Sequence, residues 1–115
     1  MKRDVKLYLN DITESIAKIE EYTKSVTKEK FSKDVKLQDA VMRRLEIIGE
    51  AAKNVPDDFR KKHPIEEWKK ISGMRDVLIH AYFGINLERV WNAVKNDLPD
   101  LKEKIKSISK EINRT

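Results

Sequence analysis

The stretch DVKLQDAVMRRLEIIGEAAKN, residues 34–54, decides the fold class. Leu37, Val41, Leu45, Ile48 and Ala52, with Val55 just beyond, return at three- and four-residue steps, which lines them along one face of a helix. Ala40, Ile47 and Ala51 make a second stripe beside the first, so this helix is expected to be covered on two sides. Gly49 costs about 1 kcal/mol against alanine inside a helix, and its place here predicts close approach of a neighbouring backbone. Glu50 reads two ways: it pairs with an arginine further along the chain, Arg75, or it sits at the edge of the bundle. Val55-Pro56 stops the helix, because proline disfavours the helical conformation in the residue before it.

The same periodicity runs outward in both directions. Upstream, Asp4 is a good N-cap, and Val5, Leu9, Ile12, Ile16, Ile19 and Val26 keep a nearly heptad seam. The polar run from Ser25 to Ser32 is expected to be the first turn. Downstream, a short helical turn follows Pro56, and Lys61-Lys62-His63-Pro64 reads as a basic linker with a solvated His63. Pro64 opens a third long helix with Glu66 and Glu67 in its first turn. Gly84 ends that helix and Asn86 caps the next. Leu87, Val90, Val94, Leu98, Leu101, Ile105, Ile108 and Ile112 then hold helical steps to the end, with Pro99 predicting a kink or restart near residues 96–98. Four long amphipathic segments with short connections predict an all-α antiparallel four-helix bundle, with a short extra helix and a kinked C-terminal helix, in one domain over residues 1–115.

The chemistry gathers at Gly73-Met-Arg-Asp-Val-Leu-Ile-His-Ala-Tyr-Phe83. Ile71, Met74, Val77, Leu78 and Ala81 take the core side. At about 100° per residue, Arg75 and Tyr82 share one azimuth, while Asp76 and His80 share another about 100–140° away. A carboxylate one turn before an imidazole can accept its N–H and fix its tautomer, leaving the other nitrogen to move a proton near neutral pH. Arg75 adds a planar cation suited to phosphate. Taken alone, these residues read first as a structural histidine, a salt-bridging arginine and an interface tyrosine. Trp68 and Ile79 fall on the side of Arg75 and Tyr82, away from the core stripe. Large apolar residues there need cover, from a symmetric partner or from the fourth helix.

Arg75-x4-His80-x-Tyr82 resembles the signature of the HEPN superfamily, and of its HepT branch in particular. Ile48-Gly49-Glu50-Ala51-Ala52, the approach from Trp68 to Ile71, Tyr82-Phe83-Gly84, Val90-Trp91 and Asp97-Leu98-Pro99 also fit that branch, so the similarity covers roughly Met1 to Ser109. The resemblance implies a homodimer whose Arg-x4–6-His motifs meet at the interface, acting as a metal-independent ribonuclease toxin of a toxin–antitoxin pair. It also implies a small MntA-type nucleotidyltransferase as the antitoxin, which adenylylates the motif tyrosine. Carried over, Arg75 and His80 are catalytic and Tyr82 is the modification site; Asp76 behind His80 is added from the spacing alone. The alternative is a helical interaction module that docks a nucleotidyltransferase, or binds nucleic acid, without cutting RNA.

Composition sets the outer limits. The 115 residues contain no cysteine, so disulfides, thiolate metal sites and thiol nucleophiles are excluded. His63 and His80 have no ligand spacing between them, so neither metal nor cofactor is expected. A net charge of +5 is compatible with an RNA partner, although most of the charge is interleaved Lys and Glu, as on a solvated helical surface. The opening Met-Lys-Arg-Asp has no apolar run behind it, and no stretch is long enough to span a bilayer. A cytoplasmic protein is expected.

Overall fold

The computed structural model describes residues 4–80 and 87–113; within that range the side chains of Ser72, Arg75, Asp76, Val77, Ile79 and His80 lie outside the description. The described residues are helical, in the order α1 (Val5–Tyr22), α2 (Lys28–Lys33), α3 (Val35–Asn54), α4 (Asp57–Lys62), α5 (Glu67–His80), α6 (Leu87–Asn92), a π-helical turn (Ala93–Asp97) and α7 (Leu98–Asn113). The long elements form the expected all-α, HEPN-like bundle. Helix α3 packs against α1 on one side and α5 on the other, and α7 packs back on α1. The direction of α7 follows from its partners. Lys102 near its start pairs with Glu20 near the end of α1, at 3.0 Å, whereas Ser109 and Ile112 share a cleft with Lys6 and Leu9. The two helices are therefore antiparallel.

Capping fixes the starts. The Asp4 carboxylate accepts from the Lys6 backbone N–H at 2.9 Å, and the Asp34 carboxylate accepts from Leu37 N–H at 3.1 Å. Each satisfies one of the amide groups that a helix N-terminus leaves without an internal acceptor. The predicted stripes of α1, α3 and the C-terminal segment all line the core: Ile12, Ile19, Val41, Ala52, Val90, Leu101 and Ile105 are completely buried. The second stripe of α3 is covered only in part, with Ala51 buried and Ala40 and Ile47 half-buried. Gly49 is buried on α3, the helix that packs against α5.

Three local expectations need correction. The polar stretch after Ser25 is not a plain turn, because Thr27 caps a short helix, α2, through a bond from Lys30 N–H. That helix drives Phe31 into the core, its ring centroid 5.1 Å from that of Trp91. His63 is not solvated. Its ring stacks on Phe59 at 4.7 Å, and its Nδ1 lies 3.6 Å from a Glu111 carboxylate oxygen. The third long helix starts at Glu67, later than Pro64, after a tight turn in which Trp68 N–H reaches Ile65 C=O and Lys69 N–H reaches Glu66 C=O.

The irregularity forecast at Pro99 is present as the π turn. Leu98 N–H bonds to Ala93 C=O, five residues back, just before the residue that has no N–H to give. A proline ring collides with the carbonyl four residues earlier, and the widened turn relieves that collision without breaking the segment. No helix among the described residues is long and apolar enough to cross a membrane.

Candidate functional site

Helix α5 carries Arg75 and His80 of the motif, and its first turn is firmly held. Glu67 is 4% exposed, and its Oε1 meets Lys104 Nζ of α7 at 3.1 Å. The other carboxylate oxygen is buried with no hydrogen-bond partner among the described residues. Burial pushes the Glu67 pKa up, but the bond from Lys104, a backbone amide and the charges of Lys104 and Lys70 outweigh it. The carboxyl therefore stays below its ordinary value.

Trp68 overturns the reason given for expecting a partner on its side of the helix. It is 4% exposed within the single chain. Its indole N–H donates to the His63 carbonyl at 3.0 Å, and the Arg60 guanidinium lies over its ring at 6.0 Å from the centroid. Arg60 is itself anchored to the Ala52 carbonyl at the end of α3. Cover comes from within the chain, with Arg60 of α4 and His63 of the linker against the indole. Helical spacing showed which side Trp68 occupies, but not that a six-residue helix would fold over that side.

Ile71, Met74 and Leu78 are buried as predicted, and Ile71, Met74 and Lys70 border a small cavity with Leu45 and Ile48 of α3 and Ala93, Asp97 and Leu98 around the π turn. Off that face, Lys69, Lys70 and Gly73 of α5 are exposed, as is Glu66 just before the helix, with Lys70 at the edge of the core side. By spacing alone, Asp76 and His80 share the azimuth of Lys69 and Gly73, and Arg75 that of Trp68. Arg75, Asp76 and His80 thus fall on α5, as the motif requires; their side chains lie outside the described residues, as do Tyr82, Gly84 and Asn86 altogether. Glu50 is exposed on α3, and whether it meets Arg75 lies outside the description for the same reason.

Residues 12–108 match the family model described as Ribonuclease HepT-like. The chain belongs to the HepT-like ribonuclease family. It is 51% identical over 110 residues to "Probable ribonuclease HepT" of Thermococcus cleftensis, an alignment covering 96% of this chain and 100% of that one. It is 53% identical over 114 residues to "Gamma-glutamylcyclotransferase and putative RNase" of Methanocaldococcus jannaschii, covering 99% of this chain and 51% of that protein. The HepT-like chain therefore spans the whole of one relative and about half of the other. No solved structure matches it.

Two features of this HepT-like chain escaped the sequence reading. Glu67 looked like an ordinary first-turn acid and is a buried anchor. Phe31, alone among polar neighbours, left no periodic trace.

Proposed function

We propose that the chain is a metal-independent endoribonuclease toxin, acting in the cytoplasm as a homodimer. The observation that carries this reading is the placement of Arg75 and His80 of the Arg75-x4-His80-x-Tyr82 motif on α5 in a chain that matches the HepT-like family over residues 12–108. The names of the relatives, a ribonuclease and an RNase, point to the same substrate.

On one helix, Arg75 and His80 stand about 140° apart, too divergent to work on a single phosphate. Two copies that bring their motifs together across a twofold axis supply two arginines and two histidines to one cleft. One imidazole takes the proton of the RNA 2′-hydroxyl as its oxygen attacks the adjacent phosphorus. The other gives a proton to the departing 5′-oxygen, leaving a 2′,3′-cyclic phosphate and a free 5′-hydroxyl. The Arg75 guanidinium groups balance the charge that builds on the phosphorane oxygens. Asp76, one turn before His80, holds the imidazole in the tautomer that this exchange needs.

Regulation falls to Tyr82 and a cognate MntA-like nucleotidyltransferase. The phenol gives up its proton as its oxygen attacks the α-phosphorus of ATP, pyrophosphate leaves, and the chain carries an adenylyl phosphodiester two residues past His80. That group fills the cleft and occupies the guanidinium that RNA phosphate requires.

The test is incubation of purified protein with RNA. Arg75→Ala and His80→Ala should each abolish cleavage while the helical signal and melting temperature stay unchanged. Arg75→Lys should also impair it, since an ammonium cannot engage phosphate through two parallel bonds. Cleavage should survive EDTA. Undiminished cutting by a well-folded His80→Ala protein would refute the assignment. Binding without cutting by the wild type would instead favour an interaction module. Intact mass after co-expression with the nucleotidyltransferase should rise in the wild type and stay fixed in Tyr82→Phe.

A further inference from the structure

Gly73 stands in the interior of α5, exposed, with nothing among the described residues within 4 Å of where a Cβ would be. Glycine is among the poorest helix formers, and nothing described in this chain requires it at this position. A bare stretch of helix backbone admits a ligand more closely than any side chain would allow. The neighbouring residues indicate which ligand. Lys69 and Lys70 lie one turn back, both exposed and flanking the azimuth of Gly73 on its two sides, and the charge of Lys70 is felt by the buried Glu67 carboxyl. One turn is about 5 Å, and the line of Gly73 continues to the position of His80 about 10 Å further on.

We propose that an RNA strand leaving the cleavage cleft lies along this line, its backbone against Gly73 and its phosphates held by Lys69 and Lys70. The inference rests on the ribonuclease reading for its direction, since it takes the cleft to be at His80. The strand is single, because in-line attack by a 2′-hydroxyl needs a linkage free of helical stacking. Binding here is sequence-independent, with two lysines as point charges and no aromatic platform among Glu66, Lys69, Lys70 and Gly73. Asp76 also falls on the line, where it serves His80; Glu66, on the far side of the lysines, marks where the track ends. A second copy of the chain is the competing occupant of this face.

The experiment uses a fluorescein-labelled 15-nucleotide 2′-O-methyl RNA, which cannot be cut, with binding followed by anisotropy across a salt series. Lys69→Ala/Lys70→Ala should weaken binding about tenfold at 50 mM salt and flatten the slope of log K against log salt by about 1.4, the value for two lost single-strand phosphate contacts. Gly73→Leu should weaken binding by a similar factor with the melting temperature preserved, because the added Cβ meets nothing among the described residues. Lys106→Ala/Lys110→Ala, on the exposed surface of α7, should bind as the wild type does. Unchanged affinity in the Lys69/Lys70 or Gly73 variants overturns the proposal. So does a Gly73→Leu protein whose mass by light scattering falls, which would give the face to a second copy. Wild-type protein that cuts RNA but does not bind the oligonucleotide sinks this proposal and leaves the ribonuclease reading standing. Binding that depends on Lys69, Lys70 and Gly73 in a protein that cuts no RNA sinks only the latter.

Discussion

Glu67 is the residue in which burial and charge oppose each other most directly. A carboxylate in the first turn of a helix is favoured by the helix dipole, yet this one is also withdrawn from water and held by a single lysine. Its folded pKa lies below the ordinary 4.5, so the bridge to Lys104 stabilises the fold above that pH. The contribution is lost as pH falls through the depressed folded value. Lys104 is half exposed, and screening there limits the bond to about 1–2 kcal/mol. Glu67→Gln should therefore lower the urea midpoint at pH 7, and the gap from wild type should close as pH falls below about 4. A gap that stays constant between pH 7 and pH 3.5 would show that the bridge contributes nothing through its charge.

At the scale of elements, long helices were legible and short ones were not, for a definite reason. An apolar stripe of five or more residues at three- and four-residue steps specifies a face, so α1, α3 and the run through α6 and α7 could be read directly. Helix α2 has six residues and one apolar side chain, and a single residue defines no period. Phe31 is nonetheless 1% exposed and packed on Trp91, and it pins α2 to α6. Phe31→Ala should cost about 3–5 kcal/mol, a large share of the stability of a chain this size. Chemical denaturation would measure this, and a loss under about 1 kcal/mol would mean that α2 is not part of the cooperative fold. The motif was legible for a different reason: its residue types and spacing identify it without any packing argument. The error at Trp68 belongs to the same limit as α2, since periodicity assigns a residue to a side and says nothing about what lies over that side.

At the scale of the whole molecule, the division of labour between two copies gives the proposed mechanism a signature that no single-chain site shares. Strand cleavage moves two protons, one off the 2′-hydroxyl and one onto the 5′-oxygen, and the sequence provides one histidine in the motif. If the second imidazole comes from the other copy, a dimer of one wild-type and one His80→Ala chain has only half of its acid–base pair. Equilibrating wild type with an equal amount of the variant leaves about half of the wild-type chains in fully wild-type dimers, by random assortment of equivalent subunits. Activity per wild-type chain should then fall to about half, and continue to fall towards zero as the variant is added in excess. The control is to mix the two proteins just before assay, without time to exchange, which should leave activity unchanged. A shared cleft predicts the fall only after exchange. Chains that each cut RNA alone would show no fall at any ratio, and Arg75 and His80 would then have to act from one helix across an angle that separates them.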